Sequence, residues 1–393
     1  MQSNLPNLQP LPLNWLEKTI NEKLKKSIQT RLEKVDIQIN GSRPWDIQVH
    51  NERLYQRVLL HGSLGLGEAY MEGWWDCPQL DQFFVHILRG NLHEEVAPRN
   101  LSSLSEAAIA GITNLQSLAR SFQVGEEHYD LGNDLFQDML DKRMTYTCAY
   151  WENAKTLDEA QEAKLDLVCQ KLHLKPGMTL LDIGCGWGSL IKYAAEKYGV
   201  SCVGLTVSKE QVKLGEEMCQ GLPIKFLLQD YRTFEGQKFD RIASIGMFEH
   251  VGYKNFRTFM EMSRCCLKED GLFLLHTIGS LKTNMSGENW AMKYIFPNGY
   301  LPSLAQISKA TEELLVLEDL QNIGHHYHPT FMAYLENFDR HWPKLKEKYG
   351  EEFYRKWKYF LCSIGGSFGA RHSQVWQMVF SPNGVLQGYQ SIR

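Results

Sequence analysis

The decisive stretch of this sequence reads Thr179-Leu180-Leu181-Asp182-Ile183-Gly184-Cys185-Gly186-Trp187-Gly188-Ser189. An apolar run that contains an acid leads directly into glycines at alternating positions, which is typical of the turn between a buried parallel strand and the next helix. Because glycine has no Cβ, the backbone can adopt positive φ there and approach a ligand closely. In open α/β sheets, ligands bind beyond the carboxyl ends of the strands. The stretch therefore predicts a cofactor site near the middle of the chain.

Strand and helix patterns alternate from this stretch onward. The predicted strands cover residues 180–183, 202–206, 224–228, 241–245 and 272–276, with a last candidate at 375–380. The predicted helices between them cover residues 190–198, 209–219 and 256–267. This alternation predicts an α/β fold in which a Rossmann-like parallel sheet is covered by helices on both faces.

The length of 393 residues predicts two domains with a boundary near residue 120. Residues 1–120 are expected to form a smaller N-terminal α+β domain with a connector, and residues 121–393 the domain that carries the cofactor site. The i+4 spacing of apolar residues predicts a helix over residues 13–35 that is otherwise rich in Lys and Arg. Such a helix either packs on its own domain or lies on an anionic membrane surface. Residues 35–39 alternate like a strand, and the glycines of 62–67 predict a structural turn.

Composition argues against several classes of protein. A net charge of -4 with 43% hydrophobic residues gives no case for general nucleic-acid binding. No apolar run reaches the roughly 18–20 residues that span a bilayer, and the first residues lack the pattern of a secretory signal. The nine cysteines contain no C-x-x-C pair, which indicates reduced thiols rather than a disulfide framework or a zinc site. These features predict a cytoplasmic protein.

Two cofactor classes use glycine-rich turns of this kind, the nicotinamide dinucleotides and S-adenosylmethionine. The dinucleotide fingerprint is G-x-G-x-x-G, whereas this chain has Gly184-x-Gly186-x-Gly188. Residues 205–208, after the second strand, lack the acid that usually binds a ribose, while Asp230 after the third strand can accept from an adenine amino group. The spacing disfavours a nicotinamide cofactor, and a purely structural turn stays an alternative.

Eight segments form a specific series along the chain. They include His-Tyr-Asp-Leu-Gly-Asn-Asp at 128–134 and Gly-Met-Phe-Glu-His-Val-Gly at 246–252. The full series covers residues 128–134, 144–151, 180–188, 204–211, 229–232, 246–252, 276–279 and 331–334. On these motifs the chain resembles the cyclopropane-fatty-acyl-phospholipid synthases and, more broadly, the S-adenosylmethionine-dependent cyclopropane and mycolic acid methyltransferases. The N-terminal region resembles that of the full-length bacterial enzymes.

The resemblance implies a class I methyltransferase fold and ten residues that bind S-adenosylmethionine: Tyr146, Thr147, Asp182, Gly184, Gly186, Gly188, Thr206, Gln211, Asp230 and Tyr231. The first two match positions at the sulfonium and amino-acid end of the cofactor. The glycines match its methionine-binding turn, and the last two residues match its adenine contacts. Thr206 and Gln211 match the ribose contacts, which accounts for the missing acid after the second strand. The family usually has Ser where this chain has Thr147, and Thr keeps the hydroxyl.

The reaction implied by the resemblance adds a methylene across a cis carbon–carbon double bond. The alkene attacks the sulfonium methyl, and a base then removes a proton from the added methyl so that the ring closes. In this family the base resembles a bound bicarbonate ion, and the matching ligand positions are Cys148, Glu249, His276, Tyr327 and the backbone at Ile278. An imidazole, a phenol and an amide can donate to an oxyanion, whereas Glu249 is expected to accept the bicarbonate hydroxyl and relay the proton outward.

Structural interpretations of these residues stay open. Glu249 can cap the next helix, and His276 can be a core histidine at the end of an apolar strand. The His-His-Tyr-His run at 325–328 suggests a metal, but adjacent histidines rarely meet the geometry of a closed zinc site, so we expect none. Cys362 matches a cysteine often regarded as catalytic in the family. No step needs a nucleophilic thiol, so we favour a role as a small buried residue near the cation.

The acceptor implied by the resemblance is an unsaturated acyl chain on a membrane phospholipid. Apolar candidates for lining a channel for that chain are Trp290, Met292, Ile295, Phe296 and Leu301. The basic helix at 18–34 and the segment 344–358 are candidates for peripheral contact with the inner face of the membrane. The full-length relatives resemble homodimers, and two copies would strengthen attachment to the surface through avidity.

Several rival functions share part of this pattern. A fatty-acyl methyltransferase that adds a methyl branch shares every motif, and the retained Cys148, Glu249 and His276 favour ring closure over it. The basic helix argues against a methyltransferase for a small-molecule amine. The intact glycines argue against a lipid-binding protein without activity, and their spacing argues against a nicotinamide reductase.

Overall fold

The computed structural model describes residues 13–96, 132–283, 288–297 and 299–393, with side-chain environments from residue 21 onward except at 95–96. The chain divides into two compact units, residues 1–98 and 99–393. The domain boundary that we place near residue 120 lies outside the described residues.

The described part of the smaller unit combines helices with a two-stranded antiparallel sheet. In chain order, its elements are α1 (Leu13–Glu33), β1 (Gln48–Val49), α2 (Leu54–Met71), β2 (Trp75–Asp76), α3 (Leu80–Arg89) and α4 (Leu92–Val96). Trp75 lies in the core of this unit, where its indole N–H donates to the Leu66 carbonyl at 3.0 Å and its ring packs against Phe83. The predicted helix over residues 13–35 is confirmed as α1.

Two local predictions in this unit are wrong. Residues 35–39 form a turn followed by irregular backbone rather than a strand. Their apolar side chains do alternate in burial, but Asp36 has a φ of 60°, which interrupts the extended backbone that a strand needs. Residues 62–67 lie inside α2 rather than in a turn, and α2 kinks at Gly62, where φ is 57°.

Within its described residues, the larger unit is built on a seven-stranded sheet. Its strands are β3 (Thr179–Ile183), β4 (Ser201–Thr206), β5 (Ile224–Leu228), β6 (Phe239–Ile245), β7 (Leu267–Ser280), β8 (Val316–Asn322) and β9 (Ser373–Ser381). Their spatial order is β5-β4-β3-β6-β7-β9-β8, in which β3 to β7 run parallel and β9 pairs antiparallel with both of its neighbours. The direction of winding reverses between β3 and β6, and such a reversal opens a crevice at the carboxyl ends of the strands.

Helices cover both faces of this sheet. They are α5 (Asn133–Met139), α6 (Leu157–Lys171), α7 (Ser189–Tyr198), α8 (Lys209–Met218), α9 (Phe256–Cys266), α10 (Asn289–Tyr294), α11 (Leu304–Thr311) and α12 (Tyr327–Gly369). The neighbouring residues Leu180 and Leu181 belong to two different apolar cores, the first shared with α6 and α7 and the second with α9 and α11. Adjacent strand residues point to opposite faces, so the sheet is buried on both. The predicted Rossmann-like α/β fold is confirmed.

The sequence patterns did not predict β8 or α12, and they predicted only residues 272–276 of β7. Strand β7 continues from His276 to Ser280 along its antiparallel partner β9. Strand β8 contains two acids and ends in Gln321-Asn322. This polar content suits a strand at the edge of a sheet, whereas the buried strands were predicted from their apolar runs. Helix α12 contains Pro343 and a kink at Gly350, where φ is 77°, and these interrupt its helical pattern.

Candidate active site

The turn after β3 has the backbone that its glycines predict. The φ angle is 84° at Gly184, 54° at Gly186 and 89° at Gly188, in the left-handed region that favours glycine. A Cβ at Gly184 would lie 2.5 Å from the side chain of Met247, and a Cβ at Gly188 would lie 2.5 Å from the ring of Phe226. A Cβ at Gly186 would meet open space. The first and third glycines therefore permit close packing, while the second leaves the backbone accessible.

A cavity lies at the carboxyl ends of the parallel strands. Nine of the ten residues predicted to bind the cofactor line it: Tyr146, Thr147, Asp182, Gly184, Gly186, Thr206, Gln211, Asp230 and Tyr231. Gly188 is outside this lining, because it caps α7 and faces Phe226. The fold thus brings the predicted residues from separate segments of the chain to one cavity.

Two buried groups of opposite charge, Lys164 and Asp182, line one end of this cavity beside Thr147. Nζ of Lys164 donates to Oγ1 of Thr147 at 2.7 Å, while Oδ1 of Asp182 has no hydrogen-bond partner among the described residues. Burial lowers the pKa of Lys164 to about 8 and raises the pKa of Asp182 to about 7, and the charge of each group opposes the shift of the other. An amino-acid zwitterion fits this pair, because its ammonium can satisfy Asp182 and its carboxylate can accept from Lys164.

The end of β4 presents a hydroxyl and an amide to the cavity. Oγ1 of Thr206 donates to Oε1 of Gln211 at 2.6 Å, which leaves the amide nitrogen of Gln211 to donate elsewhere. Ser208 caps α8 by accepting from the Gln211 N–H, and this holds the start of the helix against the strand end. A donor in this position suits a ligand hydroxyl.

The end of β5 leads into Asp230 and Tyr231. The carboxylate of Asp230 forms an ion pair with Arg232, whose Nη2 lies 2.7 Å from Oδ2. Asp230 therefore already has Arg232 as a partner, but its carboxylate can accept a further hydrogen bond from a ligand. The hydroxyl of Tyr231 is buried and has no hydrogen-bond partner within the described ranges, while its ring packs edge-on against Phe259. The two residues present a carboxylate and a phenol to the same end of the cavity.

Glu249 is a buried carboxyl just after β6, in the short turn Phe248–His250. Its Oε1 accepts from the backbone N–H of Ile278 at 2.6 Å, whereas its Oε2 is buried without a partner in the part of the chain that the structure describes. Burial raises the pKa of Glu249 to about 7, and the hydrogen bond from Ile278 opposes that rise. The Ile278 amide, predicted to bind an oxyanion directly, thus donates to Glu249 in this structure.

His276 lies inside β7, opposite Ile245 at the end of β6, and not at a strand end as the predicted strand 272–276 suggested. The strand continues because its pairing with β9 extends to Ser280. Nδ1 of His276 lies 3.3 Å from Nε2 of Gln377, the residue opposite it on β9. Burial, together with the charges of two lysines, lowers the pKa of His276 well below its ordinary value, so the imidazole is neutral.

Cys148 and Tyr327 lie near the same region. Sγ of Cys148 is fully buried and donates to the carbonyl of Ile323 at 3.8 Å, and burial raises the pKa of this thiol well above its ordinary range. Tyr327 begins α12, and its ring packs against Phe331. Burial, followed by the proximity of Tyr327 and Cys148 among other groups, raises the pKa of Tyr334. Tyr334 connects the surroundings of the two residues, since its ring packs edge-on against Phe331 and its hydroxyl donates to the carbonyl of Thr147, the residue before Cys148.

Comparison with known proteins identifies the family. Residues 116–378 match the family model described as mycolic acid cyclopropane synthetase. The chain is also 51% identical over 362 residues to the cyclopropane-fatty-acyl-phospholipid synthase of Escherichia coli strain K12, covering 92% of this chain and 94% of that protein. The chain belongs to the cyclopropane synthase family. The resemblance drawn from the sequence motifs is confirmed.

Solved structures agree with family membership. The mycolic acid cyclopropane synthase CmaA1, complexed with SAH and CTAB, is 33% identical and superposes with a TM-score of 0.62, covering 66% of this chain and 97% of that chain. Coclaurine N-methyltransferase, at 22% identity and a TM-score of 0.67, covers 80% of this chain and 98% of that chain and shows the fold alone. The family match and the relationship to CmaA1 confirm an S-adenosylmethionine-dependent methyltransferase.

The predicted channel residues have different environments in this family member. Trp290 is buried and packs against Tyr359, with ring centroids 4.5 Å apart. Phe296 is half-buried, and its ring lies 6.4 Å from that of His250, which lines the cofactor cavity. Ile295 is buried, Met292 half-buried and Leu301 exposed, so the five residues do not form one uniform lining. The contact between Phe296 and His250 nevertheless brings this segment close to the cavity.

The basic segment 344–358 is partly engaged by acids of the same unit. Lys344 pairs with Asp138 at 2.8 Å, and Lys348 pairs with Asp134 at 2.7 Å. These pairs reduce the positive charge that the segment offers to a partner. Within the described ranges, no helix has both the length and the apolar character needed to cross a membrane.

Cys362 is almost fully buried within α12. Its charged neighbours include Lys358, one turn earlier on the same helix. Among the described residues, no group of three or more His, Cys, Asp or Glu side chains has an arrangement that could hold a metal ion.

Sequence reasoning missed polar residues on the buried face of α6. Gln161, Lys164 and Lys171 are all at most 1% exposed, and they recur with Val168 at helical spacing on that face. Nε2 of Gln161 donates to the Thr147 carbonyl at 2.8 Å. A signal was present in the sequence, since charged residues at core-facing positions of a helix require partners.

Proposed function

We propose that this enzyme transfers a methylene from S-adenosylmethionine to the cis double bond of an unsaturated acyl chain in a membrane phospholipid, forming a cyclopropane ring. The observation that carries the proposal is the carboxyl of Glu249. Its Oε1 is held by the Ile278 amide, its Oε2 has no partner among the described residues, and the adjacent His250 lines the cofactor cavity. Ring closure requires a proton to leave the transferred methyl, and a carboxyl with a pKa of about 7 can exchange a proton near neutrality.

The residues of the cavity fit S-adenosylmethionine, which supplies an electrophilic sulfonium methyl. Lys164 and Asp182 suit the amino-acid end, where Tyr146 and Thr147 also lie. Gln211 can donate to a ribose hydroxyl with Thr206 holding its amide. Asp230 and Tyr231 are assigned to the adenine end, and the buried hydroxyl of Tyr231 can take a ligand partner. The turn at Gly184 and Gly186 lets the backbone approach the methionine portion, while Gly188 acts through packing.

We propose that bicarbonate binds beside Glu249, where it would supply the base for ring closure. Oε2 of Glu249 can accept from its hydroxyl, and the neutral imidazole of His276 can donate to an oxyanion. Tyr327 adds a phenol donor, whereas the thiol of Cys148 already donates to the Ile323 carbonyl and is assigned to the wall of this site. Ile278 serves this group through Glu249, whose orientation it holds. We assign Cys362 a packing role, since none of these steps needs a thiolate.

An acyl chain must reach the sulfonium end of the cofactor in a setting without water. Aromatic side chains suit this task, because they exclude water and their faces stabilise a cation. We propose that the segment with Trp290 and Phe296 lines the approach, since Phe296 contacts His250 at the edge of the cavity. An alkene is a poor nucleophile, so the protein must hold it in line with the methyl.

We further propose peripheral association with the inner face of the cytoplasmic membrane and a homodimeric state. Lys23, Lys26 and Lys34 on and after α1 are exposed, and clustered lysines are attracted to anionic lipid surfaces. Two copies would double this attraction within one particle.

A product assay tests the function. Purified protein is mixed with S-adenosylmethionine, bicarbonate and vesicles of a cis-monounsaturated phospholipid, and the released acyl chains are analysed by mass spectrometry. We expect a chain that is heavier by one methylene and has no double bond, and we expect Glu249→Gln to form much less of it. The exposed Glu347→Gln on α12 is the matched control.

Other products of this assay would assign a different reaction to the enzyme. A methyl-branched or hydroxylated chain would move the enzyme to the related fatty-acyl methyltransferases. Methylation of an added small amine, with unchanged lipids, would favour the amine methyltransferases. Either result would refute ring formation while retaining the cofactor.

A further inference from the structure

A chain of buried, hydrogen-bonded side chains runs from Lys171 through Gln377 to His276. Nζ of Lys171 donates to Oε1 of Gln377 at 2.8 Å and to Oε1 of Gln321 at 2.6 Å. Nε2 of Gln377 lies 3.3 Å from Nδ1 of His276. Lys171, Gln377 and His276 are each at most 2% exposed. The methyl transfer described above uses neither Lys171 nor Gln377.

The sheet brings this chain together. Gln377 on β9 is paired with His276 on β7 on one side and with Gln321 on β8 on the other. These three side chains therefore form a row across adjacent strands, and Lys171, the last residue of α6, lies against that row. Three polar residues in register within a buried sheet cost desolvation unless each hydrogen bond is made.

The direction of each hydrogen bond follows from the chemistry of the first donor. Burial lowers the pKa of Lys171 to about 7, and the ammonium present below that pH can only donate, so the group of Gln377 that faces Lys171 is its carbonyl oxygen. The amide nitrogen of Gln377 then faces His276, and an amide nitrogen can only donate. Nδ1 of His276 must therefore accept, which places the single proton of the neutral imidazole on Nε2.

Charges around the imidazole keep it neutral. Besides burial, the positive charges of Lys164 and Lys171 oppose a second proton on His276. An unoriented buried histidine can exchange between its two neutral forms, and a hydrogen bond to one nitrogen selects between them.

We propose that Lys171 and Gln377 are positioning residues that hold His276 as the neutral tautomer protonated on Nε2. The consequence for catalysis rests on the proposed function. In that setting Nε2–H is a donor for the bicarbonate placed beside Glu249, and the opposite tautomer would present a lone pair to that anion. The tautomer itself does not depend on the reaction.

Nitrogen NMR of the full-length protein with labelled histidine tests the tautomer. Long-range proton–nitrogen correlations show which ring nitrogen carries the proton. The His276 signals are assigned by their absence in His276→Asn. We expect a proton on Nε2 and none on Nδ1 in the wild-type protein below about pH 7, where Lys171 is protonated. A proton on Nδ1 would overturn the proposal.

Gln377→Glu removes the donor that faces Nδ1 of His276. A carboxylate at this position keeps the bond from Lys171 but cannot donate, so we expect Nδ1 of His276 to gain a proton. The matched control is Gln374→Glu, also on β9, whose wild-type amide contacts Asn322 and Arg371 instead of His276. We expect this control to leave the His276 signals unchanged. Unchanged signals in Gln377→Glu itself would overturn the proposal.

Kinetics separate positioning from a merely structural role. We expect Gln377→Glu to lower kcat, or to raise the KM for bicarbonate, by about 10- to 100-fold, as for other residues that orient a functional histidine. Calorimetry should show its affinity for S-adenosylhomocysteine unchanged, because Gln377 is not part of the cofactor cavity. Full activity of this variant in an enzyme that forms cyclopropanes would refute the catalytic consequence. A wild-type enzyme that forms no cyclopropane would instead refute the proposed function, while the NMR result would still decide the tautomer.

Discussion

Replacing Glu249 by Gln should change how the stability of the protein depends on pH. The variant keeps the shape of a buried side chain and can still accept the 2.6 Å hydrogen bond from the Ile278 amide. It removes a carboxyl whose pKa is raised by burial from 4.5 to about 7. A group with different pKa values in the folded and unfolded states makes stability pH-dependent, and glutamine lacks this titration.

The sign and size of the effect follow from that pKa. Because it is raised in the folded protein, the stabilisation from protonated Glu249 is fully present below pH 4.5 and is lost as the pH rises through about 7. At about 1.4 kcal/mol per pKa unit, the whole effect is about 3 kcal/mol. Most of this falls between about pH 5 and about pH 8. We expect wild type to lose most of that amount relative to Glu249→Gln across this range.

Urea unfolding in buffers without bicarbonate measures the difference. Free energies of unfolding are compared for wild type, Glu249→Gln and Glu347→Gln at several pH values across that range. The control changes an exposed side chain on α12 and should follow wild type. Parallel pH profiles for wild type and Glu249→Gln would show that Glu249 is not held in a desolvated site, and would refute the reasoning from burial.

Further predictions concern the cofactor cavity and the thiol. Lys164→Met should weaken the binding of S-adenosylhomocysteine by about 10- to 100-fold in calorimetry, since a charge-assisted hydrogen bond contributes about 1.5–3 kcal/mol; unchanged affinity would remove Lys164 from the site. Gly188→Ala should lower the free energy of unfolding by more than about 2 kcal/mol, because its Cβ would lie 2.5 Å from Phe226 at a φ of 89°. Gly186→Ala, which meets open space, should cost only about 1–2 kcal/mol from its backbone conformation, and equal losses at both glycines in denaturant unfolding would contradict the packing argument. Cys362→Ala should retain product formation within about threefold in the lipid assay, as expected for a buried residue without a chemical role, and a complete loss would point to chemistry at the thiol.

The cofactor cavity could be predicted because its parts are local. Each glycine that requires positive φ follows an apolar strand within a few residues, and each strand end is marked by a change from apolar to polar residues. Gly188 is the exception, because only its contact with Phe226 shows that it serves packing. Glu249 could also be placed after a strand. That its Oε2 has no partner among the described residues, and that its Oε1 accepts from Ile278, depends on β6 and β7 lying side by side.

The sequence by itself determined the α/β fold, the family and the glycine turn with positive φ after β3, since periodicity and the freedom of glycine act over short stretches of chain. Only the tertiary structure decided which buried polar groups meet one another. Lys171 and Gln377 are 206 positions apart and Gln377 and His276 are 101 apart, and they meet because β7, β9 and β8 pair in one register under α6. In the sequence, helical spacing places Lys171 on a buried face of α6 but does not distinguish a lysine with partners there from one without them. What distinguishes it is the set of hydrogen-bond acceptors that distant elements bring to it, because burial without them would cost too much free energy.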